Sequence, residues 1–303
     1  MPILHSLPKA ELHLHLEGSI EPETLLELAP GSEFAPYEFA GFAGFIESFK
    51  RVTGYLRSPA DYALITRRLL RSLERQNVRY AEITLSAGVV LWRKQDFAAI
   101  YDSVREAAAE SSVTVFWILD AIRHFGTAPA MEVARLAAER VKDGVVAFGI
   151  GGDEARGPAE WFRDVFAFAR QQGLRLTAHA GETCGPESIW QALEIGATRI
   201  GHGISSVQDP ALLRHLRDQD IPLEVCISSN VVTGVVPNLD THPIRRIYDA
   251  GVPVVLNSDD PAMFKTTLTH EYELAQEHFG FSDTEIRSLI ENSFRYAFRY
   301  NVR

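Results

Sequence analysis

Eight short apolar runs, separated by stretches of helical period, constrain this 303-residue chain more than any other feature. The runs are AELHLHL (10–16), RYAEITLS (79–86), VTVFWILDA (113–121), VVAFGI (145–150), LRLTAHA (174–180), TRIGH (198–202), IPLEVC (221–226) and VPVVLNS (252–258). Between them lie charged, amphipathic segments such as 61–76, 129–143 and 161–172. Apolar strands alternating with amphipathic helices predict a parallel sheet covered on both faces. Eight is the strand count that closes a (β/α)8 barrel of the TIM type. Residues 17–78 make a longer first connection than one helix needs. Within it the aromatic segment 39–56 predicts extra helices across the mouth. No linker or low-complexity stretch interrupts the pattern, so residues 1–303 read as one domain.

Barrels of this kind place chemistry at the C-terminal ends of their strands. The ends here are crowded with histidines and carboxylates. The first carries His13, His15 and Glu17; the fourth Gly151, Gly152, Asp153 and Glu154; the fifth His179 and Glu182. The sixth carries His202, the seventh Ser228, Ser229 and Asn230, and the eighth Asn257, Ser258, Asp259 and Asp260. Strand alternation points His13 and His15 to one side, where both reach one ion. His179 and Asp259 complete a three-histidine, one-aspartate set suited to zinc, with a position left for water. The fourth strand has no lysine to bridge two metals, so one ion is favoured. Its glycines, Gly149, Gly151 and Gly152, either leave bare backbone for a flat ligand or serve a tight strand-to-loop turn. Glu182 stands beside the ion without binding it, placed to protonate a ring nitrogen. His202 is placed to act as base and orienter for the attacking water. Asp259 and Asp260 are neighbours and cannot both ligate one ion with ease, so one is expected to bind the ion while the other faces the substrate or positions the water. An unpartnered pair of like charges would repel strongly, which supports a nearby cation.

Other polar residues read as surface or structural. His5, His215, His242, His270 and His278 fall away from strand ends, and Glu82 lies inside a strand. Asp120, Arg123 and His124 end the third strand, where substrate contact is the lesser expectation. Trp92 and Trp117 read as packing. Cys184 and Cys226 lack a base partner and read as inert.

Composition removes other classes. The formal net charge is −10 and no basic run occurs, which gives nucleic acid no footing. No apolar run reaches the ~18 residues of a membrane span. Two cysteines without CxxC spacing, and no apolar leader, suit a soluble cytoplasmic protein. The outer helix faces leave room for subunit contacts, whose number the sequence does not set.

Taken together, ELHLHLEG (11–18), GGDE (151–154), HAGE (179–182), IGHG (200–203), CxSSNxxTG (226–234) and NSDDP (257–261) resemble the adenosine deaminase family of metal-dependent hydrolases. The motifs follow the family's order from residue 8 to about 264. The resemblance implies zinc held by His13, His15, His179 and Asp259. It implies Glu182 as proton donor to ring N1 and His202 as base for the attacking water. Asp260 would bond to N7, and the Gly152 N–H to N3. The implied reaction replaces a 6-amino group by oxygen and releases ammonia. One letter departs from the nucleoside pattern. Glu17 stands where nucleoside enzymes carry a sugar-binding aspartate, as in adenine-type deaminases, while GGDE and GHG look nucleoside-like. The expected substrate is therefore a purine nucleoside or a 5′-modified relative such as aminodeoxyfutalosine, with free adenine as the alternative. Phe39, Phe42, Phe45 and Phe49 are placed to wall a bulky 5′ group or simply to pack on the barrel. A non-catalytic relative is the third reading, and the complete acid, base and ligand set argues against it.

Overall fold

A computed structural model describes residues 2–31 and 37–299. Eight parallel strands form one sheet in sequential order, β1 through β8. They are β1 (Lys9–His15), β2 (Val78–Leu85), β3 (Thr114–Ile122), β4 (Val145–Gly151), β5 (Arg175–Ala180), β6 (Arg199–His202), β7 (Leu223–Val225) and β8 (Val254–Leu256). The predicted runs and these strands coincide to within three residues at every end. Every residue of β1, β4 and β6 is buried, as a sheet covered on both faces requires.

Side chains and loops close the seam between β8 and β1. Asn257 Oδ1 accepts from Leu12 N–H (2.8 Å) and His13 N–H (3.0 Å). Past the strand, His15 N–H donates to Asp259 O (2.8 Å) and Asp259 N–H to His13 O (3.2 Å). The NSDD segment thus joins the barrel and delivers its aspartates to β1 in one stroke.

The helices follow from local sequence. Ser58 caps the helix Pro59–Arg75 with a capping box to Asp61, and Pro59 opens it. Its buried stripe of Tyr62, Ile65, Leu69, Leu70 and Leu73 lies against the barrel. In the first connection the helix Gly41–Thr53 carries Phe42, Phe45 and Phe49 to the mouth. No helix among the described residues is long and apolar enough to cross a membrane.

The opposite mouth holds a buried ionic cluster. Arg199 pairs with Glu224 through Nε and with Glu82 through Nη2 (2.6 Å). The Phe298 ring lies 3.6 Å from the guanidinium carbon. Glu82 is therefore the interior polar contact that its position predicted.

Candidate metal centre and active site

Ordinary strand alternation brings His13 and His15 to the inner surface at the end of β1. His179 arrives from β5 and Asp259 from the loop after β8. His13 Nε2 lies 3.2 Å and His15 Nε2 3.4 Å from Asp259 Oδ1, and the Nε2 atoms of His15 and His179 are 3.2 Å apart. His13 Nδ1 meets the Glu224 carboxylate at 2.9 Å, so it carries a proton. His179 Nδ1 meets Ile150 O at 3.2 Å, so it carries one too. Each ring therefore turns an Nε2 lone pair inward. His13 Nε2 is buried with no hydrogen-bond partner. Lone pairs and a carboxylate that converge like this repel one another without a cation among them, and the donor set suits a divalent ion. Ser229 Oγ fixes the outer oxygen of Asp259 at 2.7 Å.

Backbone geometry is bent to this purpose. His202 (φ 61°) and Asp259 (φ 65°) both occupy the left-handed region, a costly choice for residues other than glycine. Gly201 must be glycine, because a Cβ there would stand 2.7 Å from His13 Cε1. A Cβ on Gly18 would overlap Asp260.

The acids are tuned by burial. Burial, with the charges of Asp259 and Glu154, pushes the Glu182 carboxyl well above the usual range. Burial and the Asp259 charge do the same to Asp260. Burial would also raise Asp259, but its bond to His13 and the surrounding imidazoles hold it well below. Glu182 is thus able to stay protonated 3.6 Å from His202 Nε2. Burial lowers His202 itself to about 4.

A cavity of about 710 Å³ opens over this cluster. His15, His179, Glu182, His202, Asp259, Asp260 and Gly152 all line it. Glu17 does not line it. It is buried in the turn after β1, where Oε1 accepts from Ser86 N–H (3.0 Å), while Ser86 itself faces the cavity. Burial raises Glu17 to about 7. Asp120 faces the cavity instead, with Oδ1 buried and unpartnered. Three aromatic side chains of the first connection, Phe42, Phe45 and Phe49, form one wall, and Trp92 stacked on Phe125 forms part of the rim. Phe39 packs against Phe45 and Phe264 and does not reach the cavity.

Sequence reasoning gave no role to four supporting residues. Glu224 orients His13. Glu154 accepts from the N–H groups of Gly181, Glu182 and Thr183 at 2.8–2.9 Å and so shapes the HAGE turn. Asn230 and His242 stand in line behind His202. An acid inside the apolar run IPLEVC was a readable signal for Glu224. His242 carried none, since nothing near it in sequence suggests burial.

Comparison with known proteins agrees with this geometry. The family model described as adenosine deaminase matches residues 8–301. An aminodeoxyfutalosine deaminase of Streptomyces coelicolor is 40% identical, over 96% of this chain and 80% of its own. An adenine deaminase of Rhizobium leguminosarum bv. trifolii is 36% identical, over 96% and 95%. Among solved structures, an amidohydrolase of Burkholderia ambifaria with bound zinc superposes with a TM-score of 0.88 at 26% identity, over 98% of this chain and 87% of its own. The buried acid beside a histidine–aspartate cluster is the equipment of a hydrolytic aminohydrolase, and the chain belongs to the adenosine deaminase family.

Proposed function

We propose that this enzyme removes the 6-amino group of a purine nucleoside that carries an apolar, ring-bearing 5′ substituent, with aminodeoxyfutalosine as the candidate. The observation that carries this reading is the aromatic wall of Phe42, Phe45 and Phe49 beside the Trp92–Phe125 stack. A cavity of about 710 Å³ lodges a drug-sized ligand, more than a lone purine base. The curated aminodeoxyfutalosine deaminase at 40% identity supports the same choice. Adenine remains the second reading, favoured by Glu17 and by the adenine deaminase relatives.

Zinc fits the donor set His13, His15, His179 and Asp259, and when bound it would polarise water at neutral pH. The residues of the chain do the rest. The Gly152 N–H and Asp260 hold the purine by N3 and N7. Glu182 gives its proton to N1 as the water oxygen bonds to C6. The C6–N bond then breaks and ammonia leaves. Of the two water protons, one ends on ammonia and the other restores Glu182. We place the reaction in one domain spanning residues 1–303, in the cytoplasm, where the unpaired Cys184 and Cys226 are at home.

The test is ammonia release from adenine, adenosine, 5′-aryl adenosines and aminodeoxyfutalosine. Phe42→Ala should raise KM for the aryl substrates and leave adenosine unchanged. Adenine as the one good substrate would overturn this reading.

A further inference from the structure

Behind His202 runs a relay whose direction is fixed at its far end. Ile244 N–H, a backbone group that can only donate, points at His242 Nδ1 at 3.2 Å. That nitrogen must therefore be the acceptor, and the His242 proton sits on Nε2. His242 Nε2 lies 3.2 Å from the Asn230 side chain. A donor there requires the amide oxygen, so the amide nitrogen of Asn230 faces the other way. It meets His202 Nδ1 at 3.2 Å. An amide N–H₂ can only donate, so His202 Nδ1 is an acceptor, and in the neutral ring the proton resides on Nε2. His202, Asn230 and His242 are all buried, so no bulk water competes for these bonds.

We propose that Asn230 and His242 are positioning residues that hold His202 as the neutral tautomer with its N–H aimed into the active site. His202 Nε2 faces the active site, 3.6 Å from Glu182 Oε2 and 3.9 Å from Asp259 Oδ2, too far for a hydrogen bond to either and so free to donate to a bound oxygen. An imidazolium would set an Nδ1–H against the Asn230 N–H₂. The site-facing nitrogen therefore offers a hydrogen bond to the attacking oxygen and does not collect its proton. The resemblance gave His202 the part of a base, and the relay gives it that of a donor. The same proton would keep His202 from serving as a fifth protein ligand. Its nitrogen stands with those of His13 and His179 and an Asp259 oxygen, all within 4.8 Å of one another. A protonated nitrogen cannot coordinate. The consequence for catalysis rests on the deaminase reading, whereas the tautomer does not.

The first test is therefore spectroscopic. Protein labelled with ¹⁵N-histidine is loaded with zinc, and the long-range ¹⁵N–¹H correlations of His202 are assigned by their loss in His202→Gln. The expected spectrum has an unprotonated Nδ1 and a protonated Nε2. A protonated Nδ1 overturns the proposal whatever the substrate proves to be. The second test inverts the relay. Asn230→Asp is nearly isosteric, yet it accepts from both histidines and moves the His202 proton to Nδ1. With zinc content and KM unchanged, kcat should fall by roughly 10²-fold or more. His242→Gln, which keeps a donor towards Asn230, should retain more of kcat than His242→Leu. An Asn230→Asp enzyme with wild-type kcat and a His202 proton on Nδ1 would show that the tautomer does not matter and sink the catalytic claim.

Discussion

The clearest energetic test of the metal centre is Glu224→Gln. Glu224 is buried on β7, with one oxygen on His13 Nδ1 and the other on Arg199. A glutamine fills the same space but cannot accept on both sides. If its oxygen stays on His13, its N–H₂ group opposes the guanidinium. If it turns, His13 Nδ1 loses its acceptor and the ring loses the tautomer that turns a lone pair inward. Outer-shell partners of this kind are worth roughly 10–100-fold in metal affinity, about 1.4–2.7 kcal/mol. Bound metal stabilises the native state by mass action, so the same free energy disappears from stability in excess zinc. For a chain of 303 residues, with an unfolding entropy of about 2.1 cal/mol/K per residue, that is a melting-temperature loss of roughly 2–4 °C. The assay is zinc competition against a calibrated chelating dye, with thermal unfolding in excess zinc and in excess chelator. Glu82→Gln is the control. It removes the other carboxylate partner of Arg199, at 2.6 Å, and touches no imidazole. It should lower stability equally with and without zinc and leave the affinity intact. A Glu224→Gln protein with wild-type zinc affinity would refute the outer-shell argument.

Three further outcomes follow from the site. Glu182→Gln keeps its zinc but loses turnover by roughly 10²–10⁴-fold, read by ammonia release beside metal analysis; retained turnover refutes its part as acid. Purified enzyme carries about one zinc per chain, chelation abolishes ammonia release, and added zinc restores it; metal analysis finding none removes the centre. Asp120 Oδ1, unpartnered on the cavity wall, is placed to meet a sugar hydroxyl, so Asp120→Ala should raise KM for nucleosides by roughly 10-fold and leave adenine unaffected; equal effects on both would refute a sugar contact.

What was legible in the sequence followed from period and position. Strand alternation placed His13 and His15 on one face, and strand ends located His179, His202 and Asp259, because a parallel barrel leaves few choices. The aromatic segment was legible as a helix but not as a wall or a packing surface. In the fold it is both, since Phe42, Phe45 and Phe49 line the cavity while Phe39 packs inward. Glu17 shows the limit most plainly. Its place after the histidines suggested substrate contact, but the turn after β1 carries the side chain onto Ser86 N–H and leaves the cavity to Ser86 and Asp120. That exchange depends on the path of a turn, which no local pattern encodes. His242 was illegible for a similar reason. It lies twelve residues from Asn230, in a loop whose burial is decided by distant packing.

These outlying contacts bear directly on how one histidine differs from another. His13, His179 and His202 bring their inner nitrogens to one small space, and sequence position alone does not separate a ligand from a catalytic group. Each ring's outward partner makes the distinction. Glu224 and Ile150 O accept, so His13 and His179 turn lone pairs towards the ion. Asn230 donates, so His202 turns a proton there instead. Exchanging acceptor for donor behind a histidine should therefore exchange its role. Asn230→Asp gives His202 an inward lone pair within reach of the metal. Its zinc-loaded form should then show a sixth nitrogen or oxygen neighbour by X-ray absorption, against the five expected in the parent from four protein ligands and water. An unchanged coordination shell, with the His202 proton demonstrably moved, would mean that distance rather than tautomer keeps His202 off the ion.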